Sequence, residues 1–430
     1  MCASSTAACL RAVDRYETHA ISPRLQSERL QLDSLSATLS RATPLVCRFL
    51  CQVLVHHGGL LTTRACSIED SAVTARRADS EAHGGGIAVT NRLAIDLLTE
   101  VQYSPEDVTL SDVAYSRDGL WLATTSGSRL MLWNVLDLSA PIATATASQT
   151  LERVAFSPDA TLIMTGGQSG GIDLYNMSLT RLRFNSGTHS DEVVGVGFTP
   201  DGTPVSCSQD GKLVVWDPND LMSPVRQGSV GYVYAFALSN DGTRAAVYDS
   251  NQYKLKIYSI TSLSSEFVSK VNPHGSSSDT ANGIKTMSWS PDDQIIYTAG
   301  IDAAIRGWSS NRLTQLVEVV NTHSGNLGVG MIVVSPDGRR LASFGMDKTL
   351  RLWDTYDLSL LLLLENTHSS SSPSRMAFAP DGTRLATAAS DKYLRIWDVS
   401  DIRPAPYLKS VDNLGLNMPT SHDDIIFNPN

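Results

Sequence analysis

The chain has 430 residues, of which 42% are hydrophobic and 18% charged, and its formal net charge at pH 7 is −10. This length suits two or three ordinary domains or one large β architecture, and no apolar run reaches the ~18 residues of a membrane span. The acidic balance argues against a nucleic-acid-binding protein, because phosphate binding needs clustered Lys and Arg side chains.

The first predicted region is an N-terminal extension of low order, residues 1–91. Leucines at loosely helical spacing between residues 22 and 56 indicate one or two short helices, and the polar stretch 64–86 is typical of a linker. Five of the six cysteines precede residue 70, which favours a reducing compartment over a secreted disulfide framework. Cys47, Cys51, His56, His57 and Cys66 fit no established zinc spacing, so we predict no metal site.

The N-terminus is partly similar to a transit peptide, since it carries Arg and Ser. Acidic residues such as Asp14 and Glu17 interrupt that pattern, and no secretory apolar stretch follows a basic segment. We therefore expect a cytoplasmic protein, with a nuclear location as the alternative.

Residues 92–412 form the second predicted region and contain a short phrase, apolar–Ser–Pro–Asp–Gly with variants, in seven copies. The aspartates of successive copies are 41, 42, 40, 51, 45 and 44 residues apart. Pro presets φ, Asp hydrogen-bonds its own backbone and Gly accepts a positive φ, so each copy predicts a tight turn. The seven aspartates are Asp118, Asp159, Asp201, Asp241, Asp292, Asp337 and Asp381.

Short apolar runs surround each turn. The run before the turn alternates with period two, as in Val194, Val196 and Phe198, which marks a strand. Two further runs follow the turn, and helical periodicity is absent, so the body is predicted to be all-β. The third run of each copy ends in an aromatic residue, namely Trp133, Tyr175, Trp216, Tyr258, Trp308, Trp353 and Trp397.

This repeat resembles the WD40 family, whose period is ~40–45 residues with four strands per blade. The pairs Trp216-Asp217, Trp353-Asp354 and Trp397-Asp398 are literal copies of the family's dipeptide. The resemblance implies a seven-bladed β-propeller of four-stranded antiparallel blades over residues 92–412.

The resemblance also implies a buried hydrogen-bonded tetrad of His, Ser or Thr, Asp and Trp in three blades. In each, the Asp follows the hydroxyl residue by four positions and precedes the Trp by six. Three copies argue against a Ser-His-Asp catalytic triad, because catalysis needs one site with an oxyanion hole. We therefore predict no catalytic residue and expect His323→Ala to lower stability. The predicted tetrads are His189, Ser206, Asp210 and Trp216; His323, Ser343, Asp347 and Trp353; and His368, Thr387, Asp391 and Trp397.

The other blades deviate from the tetrad pattern. Blade 5 keeps Thr298, Asp302 and Trp308, but no His lies at the expected distance, since His274 is displaced into the loop 272–283. Blades 2 and 4 end in Tyr and lack the Asp, and blade 1 lacks both His and Asp. We expect blades 1, 2 and 4 to open more readily than blades 3, 6 and 7.

A propeller also needs an outer strand to complete its last blade. Segment 94–101, ahead of blade 1, is favoured over segment 405–411, which follows blade 7 directly. The third predicted region, the tail 413–430, resembles the start of a further repeat. A truncated repeat array and a coincidental polar tail are both compatible with it.

These features predict a non-catalytic scaffold that binds one or more proteins or peptides, with no cofactor, no nucleic acid and no membrane as partner. In similar rings, partners usually dock on the face formed by the loops that hold the Thr-His pairs and the tetrad aspartates. A regulatory or sensor propeller of a larger signalling protein is an alternative. A ubiquitin-ligase substrate receptor is disfavoured, because the Trp-Asp-x-Arg sequence of that group is absent. The predicted contacts on the face are Asp191, Glu192, Gln209, Ile301, Asn326, Met346 and Ser390.

Overall fold

Seven sheets of four antiparallel strands form the described part of the chain, which confirms the predicted seven-bladed propeller. The computed structural model describes residues 97–102, 109–275, 283–324, 328–369, 373–402 and 404. The predicted N-terminal extension, the segment 405–411 and the tail 413–430 lie outside the described residues.

Each blade runs from an innermost strand at the ring centre to an outer strand at the rim, and the strands of blades 1 to 6 pair in chain order. Blade 1 contains β2 (Leu110–Tyr115), β3 (Trp121–Ser126), β4 (Arg129–Asn134) and β5 (Ala143–Thr146). Blade 2 contains β6 (Leu151–Phe156), β7 (Leu162–Gly167), β8 (Ile172–Asn176) and β9 (Arg181–Asn185). Blade 3 contains β10 (Val193–Phe198), β11 (Pro204–Ser208), β12 (Lys212–Asp217) and β13 (Asp220–Ser229).

The remaining blades repeat this arrangement. Blade 4 contains β14 (Val233–Leu238), β15 (Arg244–Asp249), β16 (Lys254–Ser259) and β17 (Glu266–Val271). Blade 5 contains β18 (Ile284–Trp289), β19 (Ile295–Gly300), β20 (Ile305–Ser309) and β21 (Gln315–Val319). Blade 6 contains β22 (Val329–Val334), β23 (Arg340–Gly345), β24 (Leu350–Asp354) and β25 (Leu360–Leu364). Blade 7 contains β26 (Pro373–Phe378), β27 (Arg384–Ala389), β28 (Tyr393–Asp398) and β1 (Leu97–Gln102), its outer strand.

The repeated turns join the first and second strands of each blade. In blade 2, the Ser157 hydroxyl donates to Asp159 at 2.6 Å and accepts the Leu162 N–H at 2.9 Å, so the side chains fix the turn. A left-handed residue closes the turn, and Gly202 takes that place in blade 3 with a φ of 85°. Ala160 and Asp293 occupy the same place with φ values of 55° and 56°, which shows that the other turn contacts hold this conformation without glycine.

The apolar core lies between neighbouring blades. Tyr297 and Ile305 of blade 5 pack with Ile332 and Trp353 of blade 6 in one buried cluster. Each sheet therefore buries both faces, since it has a neighbour on either side.

Strand β1 closes the ring by pairing with β28, which confirms the preference for the N-terminal segment. The pairing runs from Leu97 opposite Trp397 to Gln102 opposite Tyr393, with a register shift near its start. Arg395 adds a side-chain contact, since its Nε and Nη2 atoms each lie 3.3 Å from the Glu100 carboxylate.

Candidate functional site

Blade 6 shows how a predicted tetrad is built. Trp353 Nε1 donates to Ser343 Oγ at 2.9 Å, and Ser343 Oγ lies 2.8 Å from His323 Nε2. His323 Nδ1 lies 2.9 Å from Asp347 Oδ1. Since an ionised carboxylate can only accept, Nδ1–H of the neutral ring donates to Asp347, and Nε2 therefore accepts from the Ser343 hydroxyl. The four side chains thus form one chain of hydrogen bonds, which links β24 to the end of the ring where the innermost strands begin. We call that end the tetrad face.

The structure brings the residues of the other two predicted tetrads together in the same way. In both, the histidine Nε2 lies 2.8 Å from the hydroxyl, which accepts the indole N–H at 2.8 or 2.9 Å. The Nδ1 to aspartate distance is 3.3 Å in blade 3 and 2.9 Å in blade 7. These sets are His189, Ser206, Asp210 and Trp216 in blade 3, and His368, Thr387, Asp391 and Trp397 in blade 7.

Burial closes these sets to solvent. Burial lowers the pKa of His323, so its ring is neutral near pH 7. Burial opposes the charge of Asp347, but the hydrogen bonds from His323 and Thr349 hold the pKa of that carboxyl well below its usual range. Ser343 is 0% exposed, so no substrate can reach its hydroxyl. The blade 6 set therefore cannot act as a catalytic triad.

Blade 5 also holds a complete tetrad, so the expectation that His274 is displaced from it was wrong. His274 Nδ1 lies 2.9 Å from Asp302 Oδ1, and its Nε2 lies 2.8 Å from Thr298 Oγ1, which accepts the Trp308 N–H at 2.8 Å. The long spacing of this repeat arises between His274 and the start of β18 at Ile284, not ahead of the histidine. Residues 276–282 of that loop lie outside the described residues.

An arginine that was not predicted joins the tetrad in three blades. Arg306 Nη1 lies 2.6 Å from Asp302 Oδ2, and Arg395 Nη1 lies 2.8 Å from Asp391 Oδ2. Arg351 makes the longer contact of 3.3 Å in blade 6. The sequence does contain a pattern that predicts these arginines. Each stands two residues before the blade's tryptophan, so the two side chains lie on the same face of the third strand.

Blade 2 replaces the tetrad with other polar side chains. Gln149 precedes the innermost strand as the histidines do, and its Oε1 accepts the Gly171 N–H at 3.2 Å. Asp173 is buried, and burial raises the pKa of its carboxyl. The Tyr175 and Thr165 hydroxyls are buried with no hydrogen-bond partner among the described residues. Blade 2 therefore leaves buried hydroxyl groups without hydrogen bonds, whereas the corresponding hydroxyl groups of a tetrad blade are hydrogen-bonded.

Blades 4 and 1 deviate in different ways. In blade 4, Lys256 Nζ lies 2.8 Å from Asp249 Oδ2, and both residues are at most 5% exposed. Two backbone N–H groups, of Asn251 and Gln252, donate to the other oxygen of that carboxylate. Of the hydrogen bonds that form a tetrad, blade 1 has only the one between the indole and the hydroxyl. Trp133 Nε1 donates to the hydroxyl of a threonine of β3 at 2.9 Å.

The tetrad face carries six of the seven predicted contact residues, and Asn326 lies outside the described residues. Glu192, Gln209 and Met346 line the mouth of a central channel of about 1180 Å³. The other three lie in loops of the same face, where Asp191 is exposed and Ile301 and Ser390 are half-buried.

Hydrogen bonds connect blades 3 and 4 at this mouth. Tyr232 Oη donates to Gln209 Oε1 at 2.8 Å, and Gln209 Nε2 donates to Glu192 Oε2 at 3.1 Å. Tyr232 and Tyr234 are 38% and 49% exposed, and Tyr234 lines the channel. Tyr234 was not predicted as a contact residue, because the alternation of apolar residues does not show that the innermost strand borders a channel.

The blades with complete tetrads also match a protein-family model. That model, "WD domain, G-beta repeat", covers residues 181–217, 266–309, 314–354 and 361–398. The chain contains WD40 repeats. The matched segments end with the third strands of blades 3, 5, 6 and 7, the four blades in which the structure shows a tetrad.

Curated WD40 relatives match parts of the chain. "WD repeat-containing protein 91 homolog" of Dictyostelium discoideum is 22% identical over 51% of the chain and 30% of its own length. "WD repeat and SOCS box-containing protein 1" of Danio rerio is 33% identical over 24% of the chain and 27% of its own length. The chain thus spans under a third of the length of these relatives.

A solved structure shares the fold. A chain from "Crystal Structure of Mitotic Checkpoint Complex" aligns with a TM-score of 0.62 at 21% identity and covers 79% of this chain and 100% of that chain. Within the described part of this WD40 propeller, no helix has the length and apolar character needed to cross a membrane. The same residues contain no group of three or more His, Cys, Asp or Glu side chains suited to a metal ion.

Proposed function

We propose that this WD40 propeller is a non-catalytic scaffold that binds proteins or peptides on its tetrad face, in the cytoplasm or the nucleus. The observation that supports this most directly is the set of exposed and half-buried side chains around the channel mouth. Tyr232, Tyr234 and Met346 offer large contact surfaces there, and Glu192 and Gln209 offer polar groups. Aromatic and methionine side chains next to hydrogen-bonding groups are typical of protein interfaces.

The tetrads support this proposal through rigidity. They fix the turns and strand starts in blades 3, 5, 6 and 7, so the contact residues beside them are held in place before a partner arrives. A preorganised surface loses less conformational entropy on binding.

The proposal can be tested by capturing partners with the full chain and with single variants. We expect Tyr234→Ala or Met346→Ala to lose partners that the unmodified chain retains, since each removes contact area at the mouth. Phe267→Ala is the matched control, because Phe267 is 58% exposed on the outer strand β17, away from the mouth. Identical partner sets for the mouth variants and the unmodified chain would refute the proposal.

Two finer roles follow from the relatives. A receptor for ubiquitin-ligase substrates is suggested by the SOCS box in the name of one relative, although the Trp-Asp-x-Arg sequence is absent from this chain. A regulatory propeller of a larger signalling protein is suggested by the greater length of the relatives. Ubiquitination of the captured partners by complexes that contain this chain would favour the first role over the second.

A further inference from the structure

A cleft lies at the end of the ring opposite the tetrad face, where the innermost strands end. It has a volume of about 620 Å³ and lies between blades 6, 7 and 1. Apolar side chains of the innermost strands form most of its wall, among them Val333, Val334, Met376 and Phe378. Small-molecule sites are typically clefts of about 300–1,000 Å³ with mostly apolar walls and a few polar groups. The cleft therefore has the size and the wall of such a site.

The turns after these three strands each place one residue on the cleft. Blades 6 and 7 place Pro336 and Pro380 there, whereas blade 1 places Arg117 at the equivalent position of its turn. Proline presets φ in such a turn, but the turn of blade 1 forms without it, since the Ser116 hydroxyl donates to Asp118 at 2.5 Å. Formation of the turn therefore does not explain why an arginine stands at this position.

Arg117 is the only charged residue among the described residues that line the cleft. Its side chain is exposed, and it makes no hydrogen bond or ion pair within the described part of the chain. The aspartates of the neighbouring turns have arginine partners of their own, since Asp337 lies 3.4 Å from Arg340 and Asp381 lies 3.6 Å from Arg384. The guanidinium of Arg117 is therefore available to an anion in the cleft.

The cleft wall also contains a hydroxyl group without a partner. Tyr115 lines the cleft, and its Oη atom is buried with no hydrogen-bond partner among the described residues. Burial raises the pKa of this phenol, so the hydroxyl keeps its proton and remains a donor. Because buried polar groups are nearly always hydrogen-bonded, this orphaned donor favours an occupant that carries an acceptor.

We propose that this cleft binds a small carboxylic acid with an apolar chain or ring, whose carboxylate pairs with Arg117 and whose hydrocarbon part packs against blades 6 and 7. A guanidinium matches the two oxygens of a carboxylate, and the apolar wall removes the hydrocarbon part from water. The site lies at the opposite end of the ring from the tetrad face, so it does not depend on the proposed binding of partners there.

Calorimetric titration of the full chain with sodium octanoate tests the site. 1-Octanol is the probe without a charge, and sodium acetate is the probe without a hydrocarbon chain, all at equal ionic strength. We expect octanoate to bind at one site, octanol to bind more weakly and acetate to show no measurable binding. Arg117→Gln should weaken octanoate binding by about threefold to tenfold, since it removes one charged contact on an exposed side chain, and should leave octanol binding unchanged.

Arg312→Gln is the matched control for this variant. It makes the same charge change at an exposed arginine in a turn of blade 5 on the same face, and Arg312 does not line the cleft. We expect it to bind octanoate as the unmodified chain does. Absence of octanoate binding, acetate binding as tight as that of octanoate, or equal octanoate affinities of Arg117→Gln and Arg312→Gln would each overturn the site. Partner capture at the tetrad face can persist in all these cases, so the two proposals fail separately.

Discussion

Removal of the His274 imidazole tests whether blade 5 depends on its tetrad. His274 is 2% exposed and lies 2.8 Å from Thr298 Oγ1 and 2.9 Å from Asp302 Oδ1. In His274→Ala, the Thr298 hydroxyl loses its acceptor, whereas Asp302 keeps its contact with Arg306 at 2.6 Å. One orphaned buried donor costs ~1–3 kcal/mol, and the space left by the ring adds to this cost.

We therefore expect His274→Ala to lower the free energy of unfolding by about 2–4 kcal/mol. At the ~2–4 °C per kcal/mol usual for larger domains, the midpoint of thermal unfolding should fall by roughly 4–16 °C. Urea denaturation followed by tryptophan fluorescence measures the free energy, and an unchanged m value would confirm that the comparison is between equivalent states.

A double-mutant cycle with Thr298→Val separates the hydrogen bond from general damage. The double variant should be less destabilised than the sum of the two single variants by about 1 kcal/mol or more, since each single change already breaks the bond. Strict additivity, or a His274→Ala variant within ~0.5 kcal/mol of the unmodified chain, would refute the assignment of His274 to the tetrad.

Three further predictions concern pH, a buried ion pair and local opening. Burial lowers the pKa of the four tetrad histidines in the folded state, so the unfolded chain binds more protons below pH ~6.5 and stability falls as the pH decreases. Denaturation between pH 7 and 5 should show a slope that His274→Ala reduces by up to ~1.4 kcal/mol per pH unit, and an unchanged slope would contradict this. Lys256→Met should cost ~3–5 kcal/mol, because it leaves the Asp249 charge buried without its partner, whereas Lys256→Met with Asp249→Leu should recover much of that loss in the same urea assay. Hydrogen exchange should show faster opening in blades 1 and 2 than in blades 3, 5, 6 and 7, and uniform protection around the ring would disprove this order.

The repeat allowed most of the fold to be predicted from the sequence. Seven turns at a near-constant spacing, each followed by runs that end in an aromatic residue, specify the blades because the turn chemistry is local. The same locality explains why the tetrads of blades 3, 6 and 7 could be assigned by counting positions. Counting positions fails at His274. An insertion between this histidine and β18 changes the number of residues between them, but it does not change the contacts of His274 with Thr298 and Asp302.

The contacts at the channel mouth could not be predicted in this way. Gln209 and Tyr232 stand in neighbouring repeats, and neither belongs to a motif with a fixed spacing. Their hydrogen bond arises from the packing of blade 3 against blade 4, which the spacing of the turns does not describe.

Closure of the ring by β1 has a consequence for how the chain folds. Glu100 and Arg395 are 295 positions apart, so the last blade cannot be completed until nearly the whole propeller has been synthesised. Closing a loop of that length costs on the order of 5 kcal/mol in chain entropy, and contacts between distant positions slow the folding of β proteins. On the ribosome, β1 therefore stays unpaired until β28 has emerged. A permuted chain in which β1 follows β28 directly would form this pair locally, and it should refold faster with the same final contacts.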